Sequence, residues 1–235
     1  MSVTQTQAGS SAPAACWSCK GATRGEHFCP ACGKIQPLPR GADYFDFFGL
    51  PKKLRIDADE LDQNFHQLSW KLHPDNFTRA SEYERNLSLE RSSELNDAYR
   101  TLREPVARVE YLLLREGMRK EGTTKQQAPP ELLEEVFELN ESLDELRAAR
   151  EASADGTELA ALKKTLLVAQ KNFQEKLAAV DGELDSAFRQ WDAAVDASAD
   201  ETKRKAVIGK LNEILNRRSY IRNLVANVQT ELAEA

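Results

Sequence analysis

Four cysteines and one His-Pro-Asp tripeptide are the residues of this chain best suited to chemistry. The cysteines form two pairs, Cys16-x2-Cys19 and Cys29-x2-Cys32, with nine residues between the pairs. Each pair makes a tight knuckle that turns two thiolates toward one ion, and two knuckles complete a closed tetrahedral S4 site. Gly21 and Gly33, close after each pair, supply the backbone freedom such knuckles need. Two disulfides are the competing reading. All four cysteines lie within one short segment, however, whereas a secreted framework spreads its cysteines to cross-link a core, so metal in a reducing compartment is expected. Four sulfurs also suit iron; one structural Zn2+ is the default. With every coordination position taken by protein there is no opening for a substrate, so the site is assigned to stability rather than catalysis. His27 lies between the pairs and is read as a bystander, not a ligand.

His73-Pro74-Asp75 admits three readings. A catalytic base needs a partnered nucleophile, and no partnered Ser is evident while the cysteines are committed to metal. A metal ligand needs companions, and the other histidines, His27 and His66, have no useful spacing with it. On spacing alone the tripeptide is a loop in which Asp75 caps the next helix. A zinc-dependent hydrolase using His73 and Asp75 conflicts with the closed S4 site.

The elements that position this tripeptide are helical. Leu61, Phe65, Leu68 and Leu72 follow the i, i+4, i+7, i+11 rule and define a core stripe, with Asp57 as N-cap. Proline disfavours the helical conformation of the residue before it, so this helix stops at His73. After the polar loop Asn76–Ser81, a second pattern runs to Arg103 through Leu87, Leu95, Ala98 and Leu102, and Pro105 starts a third. Two helices joined by a tight polar loop make a hairpin that exposes the loop at its tip. Trp70 falls opposite the core stripe and is expected to be covered by another segment.

Beyond Pro129-Pro130 the pattern is again helical, with helices expected at about 131–151, 157–194 and 201–232. Short connections favour an antiparallel bundle. Leu132, Val136, Leu139, Leu143 and Leu146 form the buried stripe of its first helix. Leu133 and Phe137 lie roughly 100–140° away on the wheel at about 100° per residue, among Glu134, Glu138, Glu141 and Glu145. Residues 131–151 carry eight acidic and two basic side chains. The pattern alone reads as a wide buried face beside a solvated acidic one; a docking surface for a basic partner is the alternative.

The whole chain has 235 residues, 41% hydrophobic and 30% charged, with a net charge of -6. That balance disfavours nonspecific nucleic-acid binding. No apolar run reaches the ~20 residues needed to span a bilayer. The first fifteen residues lack Arg, a basic end and an apolar core, so neither a signal peptide nor a transit sequence is visible. The expected organisation is all-α: a disordered tail (1–15), a tetracysteine module and linker (16–40), a hairpin domain (41–120), a linker (121–130) and a three-helix bundle (131–235). No convincing strand is seen.

Taken in order, several segments are similar to the J-domain family. Tyr44-Phe45-Asp46-Phe47-Phe48-Gly49-Leu50 resembles its opening helix. Lys71-Leu72-His73-Pro74-Asp75 resembles its signature loop, and Glu94-Leu95-Asn96-Asp97-Ala98-Tyr99-Arg100-Thr101-Leu102 its third helix. The continuation Pro105-Val106-Ala107-Arg108-Val109-Glu110-Tyr111-Leu112-Leu113 resembles the HscB-type branch, which serves iron–sulfur cluster biogenesis, and the tetracysteine module resembles that of its eukaryotic, animal-like members. The resemblance implies a co-chaperone, not an enzyme, in keeping with the lack of a Gly-rich phosphate loop ending in Gly-Lys-Ser/Thr. It implies that Lys71, His73, Pro74 and Asp75 contact a DnaK-type ATPase chaperone and trigger its hydrolysis of ATP. The basic face usual beside that loop is thin here, because Gln63, His66 and Gln67 flank Lys71 outward. It further implies that the acidic helix binds an IscU-type scaffold protein through Leu133, Phe137, Glu138, Glu141 and Glu145, joined by Tyr220 within Arg217–Leu224. Glu134 stands where some members have an apolar residue, which shrinks the patch. The mitochondrial matrix is the implied compartment, with the cytoplasm as alternative, and a general J-protein for unfolded clients is the alternative function.

Overall fold

The computed structural model describes residues 14–119, 129–152 and 155–234. The tail expected at 1–15 falls outside these up to residue 13, and the linker expected at 121–130 falls outside them up to residue 128. Among the described residues the fold is all-α but for a short hairpin: β1 (Ala14–Ala15), β2 (Ala22–Thr23), then α1 (Tyr44–Phe48), α2 (Ala58–Leu72), α3 (Glu82–Arg103), α4 (Pro105–Arg115), α5 (Leu133–Glu151), α6 (Gly156–Asp196) and α7 (Glu201–Glu234). β1 and β2 pair antiparallel, Ala14 with Thr23 and Ala15 with Ala22. Two-residue strands are too short to leave an alternating pattern, which is why the sequence shows none. The chain divides into two compact units, one running to Lys52 and resuming over Ile56–Arg108, the other comprising Lys53–Arg55 and everything from Val109.

In the first unit each helix starts where its side chains can take the free amides. Asp43 and Asp46 form a reciprocal capping box on α1, which stops at Gly49 with a left-handed φ of 65°. Asp57 accepts from the Glu60 amide and starts α2. Ser81 and Glu84 form a second capping box on α3. α2 and α3 run as a hairpin, held at the far end by Phe65 stacked on Tyr99 with ring centroids 4.0 Å apart. The Tyr99 hydroxyl donates to Asp62 at 2.8 Å. Leu61 and Leu72 face inward against Leu87, Leu95, Ala98 and Leu102. At the C-terminal end of α3, the buried Arg108 donates from Nε to the Leu102 carbonyl at 2.6 Å.

The tetracysteine segment belongs to this same compact unit. Trp17 meets Tyr83 edge-on at 4.7 Å, and Lys34 Nζ lies 2.9 Å from Glu84 of α3.

The second unit is an antiparallel bundle of α5, α6 and α7. A 3-10 turn (Pro130–Leu132) leads into α5, so Pro130 sits at its first position, where the missing N–H costs nothing. Asp155 caps α6 by accepting from the Thr157 and Glu158 amides. The stripe Leu132, Val136, Leu139, Leu143 and Leu146 is buried, as are Phe173, Leu184 and Trp191 of α6 and Leu211, Leu215 and Val228 of α7. Ion pairs tie α5 and the turn before it to α7: Arg217 reaches Glu131 of the turn at 3.6 Å, while Arg147 and Arg150 of α5 both reach the largely buried Glu231. Among the described residues no helix is long and apolar enough to cross a membrane.

Candidate functional site

The four cysteine sulfurs converge. Cys16 and Cys32 are 3.7 Å apart, Cys19 and Cys29 are 3.7 Å apart, and all four lie within 4.8 Å of one another. A disulfide needs about 2.05 Å, so these are not disulfides. A tetrahedron of sulfurs about 2.3 Å from a central ion has edges of roughly 3.8 Å, so the cluster has the dimensions of a closed S4 metal site. The second knuckle turns through Gly33, with φ of 71°. In the first knuckle the left-handed residue is Lys20, not Gly21. Gly21 is required for closeness instead: a Cβ there would sit 3.3 Å from Cys19 Sγ and from Ala31 Cβ.

The cysteines differ in their electrostatic surroundings. Burial raises the Cys16 thiol, but amide hydrogen bonds from Cys19 and Ser18, with the neighbouring thiols, outweigh it and bring it down to about 6. The Lys34 amide favours the Cys32 thiolate, yet burial and the other three sulfurs together push it up to about 12. The Cys16 and Cys32 thiols are thus shifted in opposite directions within one cluster.

His27 is not among the ligands. Its Nε2 lies 2.9 Å from the Phe47 carbonyl, and its Nδ1 lies 2.5 Å from an Arg91 guanidinium nitrogen. Arginine only donates, so Nδ1 accepts and Nε2 carries the proton to Phe47. Burial first, then the Arg91 charge, lowers the imidazole pKa to about 4, so it is neutral. Arg91 is itself 1% exposed and lies over the Phe47 ring at 4.5 Å.

At the hairpin tip, α2 ends at Leu72 and a 3-10 turn (Pro74–Phe77) follows. The His73 and Asp75 side chains are 56% and 85% exposed, whereas Pro74 is half-buried. His73 Nδ1 accepts from the Asp75 amide at 3.3 Å. Asp75 does not cap α3; Ser81 does. Beneath the tip, Ser88 and Ser92 of α3 both donate to the Leu72 carbonyl, at 2.6 and 2.9 Å. Asn76 donates to the Trp70 carbonyl at 2.6 Å. These bonds satisfy carbonyls that the end of α2 leaves free, so the backbone under the tripeptide is held while its polar groups face solvent. Lys71 is exposed on the last turn of α2, as are Gln63, His66 and Gln67.

The third surface is on α5. Phe137 is 71% exposed and Leu133 54% exposed, in contrast to the buried stripe one step around the helix. The wide buried face expected from the pattern is therefore absent; α5 buries a narrow stripe and leaves this apolar pair outside. Glu134, Glu138, Glu141 and Glu145 are exposed around it. Tyr220 is half-buried on α7, three residues beyond Arg217, which pairs with Glu131.

No family model matches the chain. It is, however, 35% identical over 173 residues to a co-chaperone protein HscB homolog of Vibrio vulnificus, covering 73% of this chain and 94% of that one. The chain belongs to the HscB co-chaperone family. The iron-sulfur cluster co-chaperone protein HscB of Mus musculus is 33% identical over 189 residues, 79% of this chain and 75% of the mouse protein. A crystal structure of human co-chaperone protein HscB superposes with a TM-score of 0.58 at 26% identity, over 93% of this chain and 98% of that one.

Sequence reasoning missed three features of this HscB-family member. Trp70 was expected to be covered and is 78% exposed, because among the described residues no element covers the outer face of α2 at that turn. Its position opposite the core stripe was the signal for exposure. The serines under the tip gave no signal, because a hydroxyl on an inward helical position reads the same whether or not a carbonyl faces it. His27, read as a bystander and not a ligand, is a half-buried link between the cysteine segment and α1 and α3; its place between two knuckles marks only that it is close to them.

Proposed function

We propose that this HscB-family co-chaperone couples two partners: a DnaK-type ATPase chaperone at the hairpin tip and an IscU-type iron–sulfur scaffold on the bundle. The observation that carries the reading is the pairing of an exposed His73-Pro74-Asp75 turn on a fixed backbone with an exposed Leu133–Phe137 pair ringed by carboxylates. Lys71, His73, Pro74 and Asp75 engage the chaperone and promote ATP hydrolysis on it. Leu133, Phe137, Glu138, Glu141, Glu145 and Tyr220 hold the scaffold: the apolar pair supplies area removed from water, and the carboxylates favour a basic partner surface. Binding both at once raises the effective concentration of scaffold at the chaperone, and hydrolysis there drives cluster transfer to acceptors. The protein itself catalyses nothing. The ion in the tetracysteine site is Zn2+ in a structural role. The domain limits proposed are those read from the sequence, with 131–235 carrying the scaffold, and the compartment is the mitochondrial matrix. The test is a steady-state ATPase assay with purified chaperone and scaffold. Stimulation that requires this protein and rises further when scaffold is added supports the reading; no stimulation under any combination refutes it.

A further inference from the structure

The tetracysteine segment has little core of its own. Apart from Cys16 and Cys29, Ile35 is its only fully buried large apolar residue among those described. A segment of this size with so few buried apolar groups depends on its metal for a fixed conformation. What it holds in that conformation is not scattered over its surface. Trp17, Lys34 and His27 reach the rest of the unit, and each of them contacts the first half of α3. Trp17, anchored by its Nε1 donating to the Ile35 carbonyl at 2.7 Å, packs on Tyr83. Lys34 pairs with Glu84, which is the capping-box residue of α3 and is itself buried. The His27 ring bridges buried Arg91 and the Phe47 carbonyl at the end of α1.

The same half of α3 carries Ser88 and Ser92, whose hydroxyls hold the carbonyl of Leu72, the residue before His73. An unbroken set of contacts therefore runs from the cysteine knuckles through Trp17, Lys34 and His27 to α3, and from α3 to the backbone under the tip. Glu84 also takes the Ser81 hydroxyl at 2.9 Å, so Lys34 supports the cap that ends the tip loop. We propose that the tetracysteine module is a metal-locked clamp on the start of α3, so that metal occupancy controls how well the His73-Pro74-Asp75 turn is ordered. Loss of metal releases Trp17, Lys34 and His27 together. Buried Arg91 then loses its His27 acceptor, the α3 cap loses its lysine, and the first turns of α3 open more often, taking the two serines with them. The regulatory consequence, a metal-dependent chaperone contact, rests on the role proposed above for the tip; the clamp does not.

Amide hydrogen exchange on the full-length protein separates the two. The chain is loaded with one equivalent of zinc and compared with the same chain after chelation under reducing conditions. The clamp predicts exchange faster by roughly tenfold or more across residues 72–78 and 82–92, with α6 and α7 unchanged. Exchange that rises only within residues 14–40, or equally through α6 and α7, overturns it. Two variants that leave the cysteines intact, Lys34→Met and His27→Ala, are expected to retain one zinc while raising exchange over 82–92; unchanged exchange in both, with zinc retained, also overturns it. ATPase stimulation measured on the zinc-loaded wild type then tests the role of the tip independently, since failure there leaves the exchange result standing.

Discussion

At the hairpin tip the exposed groups are polar and sit on a backbone pinned from below by Ser88, Ser92 and Asn76. On α5 the exposed groups are apolar and sit on a regular helix whose opposite stripe fills the bundle core. The first surface offers a fixed arrangement of a few hydrogen-bonding groups. The second offers area. A contact of the first kind fails when one group is removed, whereas a contact of the second kind loses affinity in proportion to what is trimmed, and neither kind needs its side chains for the fold. The residues proposed to recognise partners are therefore separable from the residues that stabilise the fold.

The largest effect is expected at the tip. Asp75→Ala abolishes stimulation of the chaperone ATPase, while stability changes by no more than about 0.5 kcal/mol, because the carboxylate is exposed and makes no cap. Thermal unfolding alongside the ATPase assay checks both halves; a fall in melting temperature matching the loss of activity would erase the distinction. Next comes Leu133→Ala with Phe137→Ala, expected to weaken scaffold binding by about 2–4 kcal/mol in calorimetry with the bundle still folded. Its mirror is Leu143→Ala on the buried stripe, which costs about 2–5 kcal/mol of stability in denaturant unfolding and leaves the exposed patch intact. The two sets trading effects would mean that the helix is rotated relative to this account.

The smallest effect is electrostatic. Hydrogen bonding from Arg147, then the charges of Arg147 and Arg150, hold the Glu231 carboxyl below its ordinary value of 4.5. A depressed carboxylate pKa stabilises the folded state above the unfolded value, and that contribution disappears as pH falls through the folded value. Glu231→Gln should therefore destabilise the fold at neutral pH, and the cost should shrink as pH falls through the folded-state value of the carboxyl. Urea unfolding of both proteins across that range checks the sign; a cost that persists in acid would place the effect in packing.

How far the molecule was legible in its residues follows from the same contrast. The helices, their starts at Asp57 and Pro130, and the buried stripe of α5 all rest on periodicity and capping, which are local. The cysteine cluster was readable because ligand spacing within a knuckle is local too. What periodicity could not give was the width of a buried face. Leu133 and Phe137 are apolar like the stripe beside them, and only the placement of α6 and α7 decides that they stay outside. Trp70 escaped for the same reason. Contacts between residues far apart in the chain, such as His27 with Arg91 or Ser88 with Leu72, leave no pattern in either segment.

The central claim is that one molecule holds both partners at once, and complementation in trans tests it most directly. Asp75→Ala retains the bundle surface, and the Leu133→Ala/Phe137→Ala variant retains the tip. Mixed in equal amounts with chaperone and scaffold, the two are predicted to give no more scaffold-dependent ATPase stimulation than the Leu133→Ala/Phe137→Ala variant alone, whereas the same quantity of wild-type protein gives the full effect. A mixture as active as wild type would show that the two surfaces act without being joined, and would contradict the account.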